Sequence, residues 1–130
     1  MQEKKIVKKI IYYDSKSDLE IIKKYQDLII YVYNLLKKYP SIEQFNLVND
    51  TKSTLLSGLK SLVYVKNTYG KTDKLKHLMD AHAKLSILMI LVRIAIKSKY
   101  ITKQNYTAWS YKIAEINDML QKWIRSCQRP

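Results

Sequence analysis

The chain has 130 residues, the size of a single domain, and 47% of them are apolar, which excludes a disordered tail. Its two glycines and two prolines are too few for the tight turns of a β-sandwich or β-barrel, so an all-β fold is excluded. The 24 basic residues exceed the 11 acidic ones and give a net charge of +13, which favours an anionic partner such as nucleic acid, a membrane or an acidic protein surface.

A basic N-terminal extension, residues 1–16, is predicted to precede one domain at residues 17–130. Lysines interrupt the apolar residues of the extension, so it does not match a signal peptide, and no run elsewhere is long enough for a membrane span. The single Cys127 cannot form an internal disulfide, which agrees with a cytoplasmic location. The extension has neither strand nor helix periodicity. A short strand, a docked helix and an arm that orders on binding all stay open.

Helix start and stop signals divide residues 17–130 into four helices. Four residues that favour the N-cap position precede apolar-periodic stretches: Ser17, Ser41, Thr72 and Thr102. The first two are followed three residues later by Glu20 and Gln44, the spacing of a capping box. Pro40 ends the first helix, and Gly70 suits a left-handed position after the second. The predicted last residues are, in order, about Tyr39, Asn67, Lys97 and Ser126.

Apolar residues recur at spacings of three and four in every helix, and each set predicts a buried seam. The first two seams are Ile22, Tyr25, Ile29, Val32 and Leu36, and then Phe45, Val48, Leu55, Leu59 and Leu62. The last two are Leu75, Leu78, His82, Leu85, Met89, Val92 and Ile96, and then Trp109, Ile113, Ile116, Leu120 and Trp123. With short links between helices of similar length, the pattern predicts an all-α fold, an up-down-up-down antiparallel four-helix bundle.

The third helix has apolar residues beyond its seam. Leu88, Ile90, Leu91 and Ile94 lie on other sides of the helix, and a helix that is apolar nearly all round must be covered nearly all round. Contact with a second subunit explains this pattern, and an unusually wide core stripe is the alternative. Residues 70–101 also carry seven basic residues against two acidic ones, so the positive charge concentrates here and at the chain ends.

Arg93 is predicted to lie beside the buried seam of the third helix, where a guanidinium needs an acceptor. A structural ion pair with Glu115 and a contact with a partner's carboxylate or phosphate are both open. Nearby, His77 and His82 are five residues apart, which is not the spacing of a helical metal pair, so His82 is predicted to be a hydrogen-bonded core histidine.

No catalytic motif is found in the sequence. It contains no Glu-x-x-His pair for a di-iron bundle, and two glycines cannot build a phosphate-binding loop or a nucleophile elbow. A non-enzymatic protein without a cofactor is therefore expected. The tyrosines that could stack on unpaired bases are Tyr31, Tyr64, Tyr69 and Tyr100, and partial burial with a hydrated hydroxyl is the alternative for each.

About two-thirds of the chain, residues 39–126, resembles the accessory variability (Avd) proteins of diversity-generating retroelements. These belong to a wider family of four-helix bundles that includes proteins encoded in ribosomal RNA intervening sequences. The matching segments are, in order, Tyr39-Pro40, Phe45-x-Leu47, Lys74-Leu75, Leu78, Asp80-Ala81, Val92-Arg93-Ile94-Ala95, Ile101-Thr102-Lys103-Gln104, Tyr106, Glu115-Ile116, Met119-Leu120 and Trp123-Ile124-Arg125-Ser126. The chain departs from the family where Asn117 and Gln121-Lys122 replace glycines and where Ser41 replaces a basic residue.

The resemblance implies a homopentameric barrel with a basic surface that binds a reverse transcriptase and its template RNA during mutagenic cDNA synthesis. The residues expected to form the binding surface are Lys71, Lys74, Lys76, Lys84, Arg93 and Lys97. Two alternatives stay open. One is a ribosomal-RNA-associated bundle protein without a reverse transcriptase, and the other is a structural bundle with no nucleic-acid role.

Overall fold

Four helices form the fold in the computed structural model, which describes residues 16–129. They are α1 (Lys16–Leu36), α2 (Leu47–Lys66), α3 (Lys71–Lys97) and α4 (Lys103–Gln128), with a short 3-10 helix at Ser41–Glu43 before α2. Between residues 16 and 129 no strand is present. Because α1 already includes Lys16, Ser17 lies inside the helix and is not its N-cap, contrary to the prediction. The structure of residues 1–15 of the N-terminal extension lies outside the described residues.

The helices pack as an antiparallel bundle. Lys24 of α1 lies 2.8 Å from Glu115 of α4, whereas Tyr31, two turns further along α1, contacts Asn105, which lies earlier in α4. The two helices therefore run in opposite directions, and α1 closes the bundle against α4. The other packed pairs are α1 with α2, α2 with α3 and α3 with α4, each joined by a short connection. The predicted four-helix bundle is confirmed.

The buried face of α1 differs from the predicted seam by one residue. Ile21 and Leu28 are fully buried beside Tyr25, whereas Ile22 and Ile29 are only half-buried at the edge of the core. The sequence has adjacent apolar pairs at these positions, so two phases of the helix bury nearly equal apolar area. The seam of α4 matches the pattern more closely, with Trp109 fully buried. The α3 prediction is again one residue out of phase, because Ala81, Leu88 and Ala95 are buried, whereas His82, Met89 and Ile96 are only half-buried.

The segment after Pro40 is where the prediction of α2 is wrong. Ser41 and Gln44 form no capping box, because this stretch closes i→i+3 hydrogen bonds and the α-helix begins only at Leu47. The Gln44 side chain instead donates to the Tyr39 carbonyl at 3.4 Å. Phe45 therefore precedes the helix, and its side chain is 91% exposed rather than part of the core seam.

The N-cap of α3 has no side-chain hydrogen bond, whereas the N-cap of α4 has one. Gly70 has the predicted positive φ (88°), but it is itself the N-cap of α3. Because α3 begins at Lys71, Thr72 already lies inside the helix and does not cap it. At α4, the Thr102 hydroxyl accepts from the Asn105 backbone N–H at 3.1 Å, and the Asn105 side chain accepts from the Thr102 backbone N–H. Thr102 is therefore the N-cap as predicted, and Asn105 completes a capping box that was not predicted.

Candidate nucleic-acid interface

The side of α3 that faces away from the core is apolar. Met79, Ile87, Ile90 and Ile94 are exposed there, and we call these four residues the outer stripe. At 100° per residue all four fall on one side of the helix, opposite the buried Leu78 and Leu85.

Leu88 belongs to the bundle core and not to this outer side, which corrects one of the four residues expected beyond the seam. Leu91 is half-buried, whereas Ile90 and Ile94 lie on the outer side as expected. A helix with apolar residues on both its core side and its outer side leaves the outer residues uncovered in a single subunit.

Arg93 flanks the outer stripe and is exposed, rather than lying next to buried positions. Its suggested ion pair with Glu115 does not form within the subunit, because Lys24 holds that carboxylate at 2.8 Å. The Arg93 side chain forms no hydrogen bond or ion pair with any residue between 16 and 129. Lys97, one turn further along α3, is also exposed and also lacks such a partner there. The structure therefore brings two unpaired cations together at one edge of the stripe.

The other expected binding residues lie towards the opposite end of α3. Lys71 opens the helix, where its ammonium group donates to the Arg129 carbonyl at 3.2 Å. A helix of 27 residues is about 40 Å long, so Lys71 and Lys97 cannot contact the same small ligand. Lys74, near Lys71, is half-buried.

Lys76 and Lys84 are partly neutralised within α3. Lys76 lies 4.0 Å from Asp73 and Lys84 lies 3.8 Å from Asp80. Lys84 is also half-buried beside α2, so less of its charge reaches solvent. Of the six expected residues, Arg93 and Lys97 thus lie together as the more accessible pair, and the other four are spread along the rest of α3.

Carboxylates gather elsewhere, in an open groove of about 630 Å³ between α1 and α4. Glu20, Glu115 and Asp118 line it together with Lys24 and Lys122. The hydrogen bond and the charge of Glu115 raise the pKa of Lys24. This face is therefore mixed in charge.

The four candidate stacking tyrosines have different surroundings. Tyr31 is half-buried with its hydroxyl accepting from Asn105 at 3.3 Å, and Tyr100 is half-buried with its hydroxyl donating to Glu43 at 2.8 Å. Tyr64 is exposed and contacts the His77 ring at 5.5 Å between centroids. Only Tyr69 is nearly free of contacts, at 95% exposure.

The His82 ring contacts Asn117 at 3.2 Å and Gln121 at 3.4 Å between α3 and α4, and it is half-buried. These polar contacts join α3 to α4. Within residues 16–129 no three His, Cys, Asp or Glu side chains are grouped as metal ligands would be.

Two exposed residues outside the outer stripe differ from what the sequence pattern predicts. Phe45 is exposed although its spacing matched a core seam, and Lys99 has a left-handed backbone with φ 63°. Pro40 was the available signal for Phe45, because a proline that ends one helix often leaves an irregular turn before the next. No local signal marks Lys99, since glycine is the residue that usually indicates this conformation.

The fold and its surface define a basic four-helix-bundle protein. Of the helices between residues 16 and 129, none combines the length and apolar composition that a membrane span requires. The chain belongs to the bAvd-like family, whose model matches residues 19–127. The predicted resemblance to Avd proteins is thus confirmed at the level of the family.

A crystal structure of a protein of unknown function from the S23 ribosomal protein family of Bacteroides thetaiotaomicron has a similar fold, with a TM-score of 0.76. The two proteins are 18% identical, and the match covers 84% of this chain and 98% of the other. Such an identity supports the fold alone. Among curated proteins, none matches this chain.

Proposed function

We propose that this protein is a non-catalytic accessory subunit of a diversity-generating retroelement. In this role it binds the reverse transcriptase and its template RNA through the basic surface of a ring-shaped homo-oligomer, a pentamer, and supports mutagenic cDNA synthesis. The observation that carries the proposal is membership of the bAvd-like family over residues 19–127.

The charge distribution supports the nucleic-acid part of the proposal. Arg93 and Lys97 are exposed on one edge of α3 and have no anionic partner among residues 16–129, so phosphate groups can reach them without breaking an internal ion pair. An arginine beside a lysine offers a planar bidentate donor and a point charge to neighbouring phosphates.

The outer stripe supports the assembly part of the proposal. Ile90 is 52% exposed and Ile94 is 42% exposed, and burying such side chains against a neighbour stabilises an interface by about 25 cal/mol for each Å² of apolar surface removed from water. A second copy of the chain is the occupant proposed here. Ile30 on α1 is also exposed and lies on a different face of the bundle from the outer stripe. A cyclic ring closes when one face of each subunit contacts a different face of the next subunit.

The assembly is tested by light scattering behind size exclusion on the full chain. We expect a mass near five subunits and expect the double variant Ile90→Ser with Ile94→Ser to run at a lower mass with unchanged helicity. Ile42→Ser, the same change at a 76% exposed position outside α3, is the matched control. A wild-type monomer would contradict the proposed ring.

Partner binding is tested with the double variant Arg93→Glu with Lys97→Glu. Binding to a structured RNA and to the reverse transcriptase should be lost while the far-ultraviolet circular dichroism stays unchanged. The control carries the same charge change at two exposed lysines on other helices, Lys60→Glu with Lys122→Glu. Affinity should also fall steeply between two salt concentrations, since each phosphate contact releases counterions. RNA binding that is weak and independent of salt would favour a structural bundle.

A further inference from the structure

One end of the bundle combines exposed lysines with an exposed aromatic ring. It is formed by residues 37–46, between α1 and α2, and residues 97–103, between α3 and α4, and we call it the basic end. Two contacts join these connections: the Tyr39 and Tyr100 rings lie 5.2 Å apart, and the Tyr100 hydroxyl donates to Glu43 at 2.8 Å. The two chain segments therefore form one surface.

The basic end has a strong local surplus of positive charge. Its five lysines are all exposed and form no side-chain hydrogen bond or ion pair with any residue in the described range: Lys37, Lys38, Lys97, Lys99 and Lys103. Glu43 is the one carboxylate in these two segments, and the Tyr100 hydroxyl already occupies it. An external anion can therefore bind these ammonium groups without breaking an internal ion pair.

Phe45 projects from this surface, with 91% of its area exposed. The turn that carries it is held in place by hydrogen bonds on both sides, from the Gln44 side chain to the Tyr39 carbonyl and from the Asn46 side chain to the Ile42 carbonyl. A phenyl ring has no polar atom that benefits from water, so this exposure is unfavourable in the isolated chain. A rigid turn presents the ring to a partner at little entropic cost.

Lys99 adds an independent observation. The Tyr100 N–H bonds the Ala95 carbonyl and the Lys99 N–H bonds the Ile96 carbonyl, the pattern of a helix end at which glycine usually takes the left-handed position. A lysine at φ 63° is strained there, and its side chain forms no compensating hydrogen bond or ion pair within residues 16–129. Such outliers persist where the side chain has a use, and here the lysine contributes its charge to the basic end.

We propose that the basic end binds unpaired RNA, with one base stacked on Phe45 and the flanking phosphates on Lys97, Lys99 and the lysines of the α1–α2 connection. This inference rests on the proposed function, because it assigns a site and a strand type to the RNA binding proposed above. Unpaired RNA fits better than a duplex, since an aromatic side chain can stack only on a base that has left its helix. It also fits better than a bilayer, because five charged side chains surround only two exposed apolar ones, Ile42 and Phe45.

The test measures binding of the full chain to a labelled 12-nucleotide unpaired RNA and to a duplex of the same composition. We expect Phe45→Ala to weaken binding to the unpaired strand about tenfold or more, the range of one lost base stack, and to change duplex binding much less. Phe45→Trp should preserve the affinity. Tyr69→Ala is the matched control, since Tyr69 is equally exposed but lies at the opposite end of the bundle.

Lys99→Gly separates loss of a contact from loss of fold. It should weaken RNA binding and reduce the dependence of affinity on salt by about one phosphate contact, while leaving the folded state at least as stable as in the wild type. If the wild type binds RNA but neither Phe45→Ala nor Lys99→Gly weakens it, the basic end is not the site, although the proposed function stands.

Three further outcomes would each overturn the inference. A wild-type protein that binds no RNA at all removes the proposed function and this site together. A change in oligomer mass on Phe45→Ala would show that Phe45 contacts another subunit. Binding to vesicles containing phosphatidylserine that is lost in Phe45→Ala, with no RNA binding, would assign the basic end to an anionic membrane.

Discussion

The hydroxyl of Tyr25 lies over the Cα of Gly58 and donates a 2.8 Å hydrogen bond to the Leu55 carbonyl. A β-carbon at Gly58 would collide with this hydroxyl and would lie 3.0 Å from the ring carbon that bears it. The close approach of α1 to α2 at this point therefore requires glycine in the middle of a helix. Burial also raises the pKa of Tyr25, so the phenol stays protonated and continues to donate.

Gly58→Ala should lower the free energy of unfolding by about 1 to 2 kcal/mol. Overpacking costs about 1 to 3 kcal/mol, and the better helix propensity of alanine returns less than about 1 kcal/mol. In a Tyr25→Phe background the same substitution should cost less, because the colliding oxygen is gone. Urea denaturation of the two single variants and the double variant measures this coupling. An identical cost in both backgrounds would mean that another atom is the obstacle.

Thr102→Ala should destabilise the protein by about 1 kcal/mol, because it removes the side-chain acceptor of the α4 capping box. Thr72→Ala is the matched control and should have an effect below about 0.5 kcal/mol, since Thr72 lies inside α3 and is exposed. Both threonines have the sequence of an N-cap, so thermal melts of the two variants decide between the sequence pattern and the observed caps. Equal destabilisation would show that Thr72 also caps.

At these helix starts, the local sequence predicts only the caps whose residues lie close together along the chain. Thr102 was predicted correctly because the residues that complete its cap lie within three positions of it. The start of α2 was not, because the 3-10 turn at Ser41–Glu43 is held by Tyr100, whose hydroxyl binds Glu43 from 57 positions away. Contacts of that separation have no signature in a spacing pattern.

In the candidate site, too, local features follow from the sequence and long-range contacts do not. Periodicity identified the apolar surplus of α3 that forms the outer stripe, because helical spacing is a local property. It could not decide the partner of Glu115, since Lys24 lies 91 residues away on α1 and Arg93 was equally available by charge. The packing of α1 against α4 shows that Lys24, and not Arg93, is the partner of Glu115. Arg93 is exposed.

Tyr39→Phe should raise the free energy of unfolding by about 1 kcal/mol. The Tyr39 hydroxyl is buried and has no hydrogen-bond partner among the described residues, so the fold carries the cost of an unsatisfied polar group. Chemical denaturation at pH 8 measures the change. Destabilisation would indicate that the hydroxyl has a partner after all.

Alkaline pH should destabilise the protein, and Tyr39→Phe should reduce this effect. Burial, with a smaller contribution from the charge of Glu43, raises the pKa of Tyr39 to about 12. Because the folded state favours the protonated phenol, the stabilisation is complete below pH 10, the ordinary pKa of tyrosine, and is lost as the pH rises towards 12. Thermal melts between pH 9 and 12 should show a shallower decline in the variant. Parallel curves would contradict the assignment to Tyr39.

Lys99→Gly should raise the free energy of unfolding by about 0.5 to 1 kcal/mol. Relief of the left-handed backbone strain at Lys99 stabilises the folded state by about 1 to 2 kcal/mol. The greater freedom of glycine in the unfolded chain costs about 0.4 to 1 kcal/mol. The net change in the free energy of unfolding is therefore positive. Lys97→Gly is the control, since Lys97 is the last residue of α3 and glycine is unfavourable in a helix. The two variants remove the same charge and should shift the denaturation midpoint in opposite directions. Shifts of the same sign would show that charge, and not backbone conformation, determines stability at this end of the bundle.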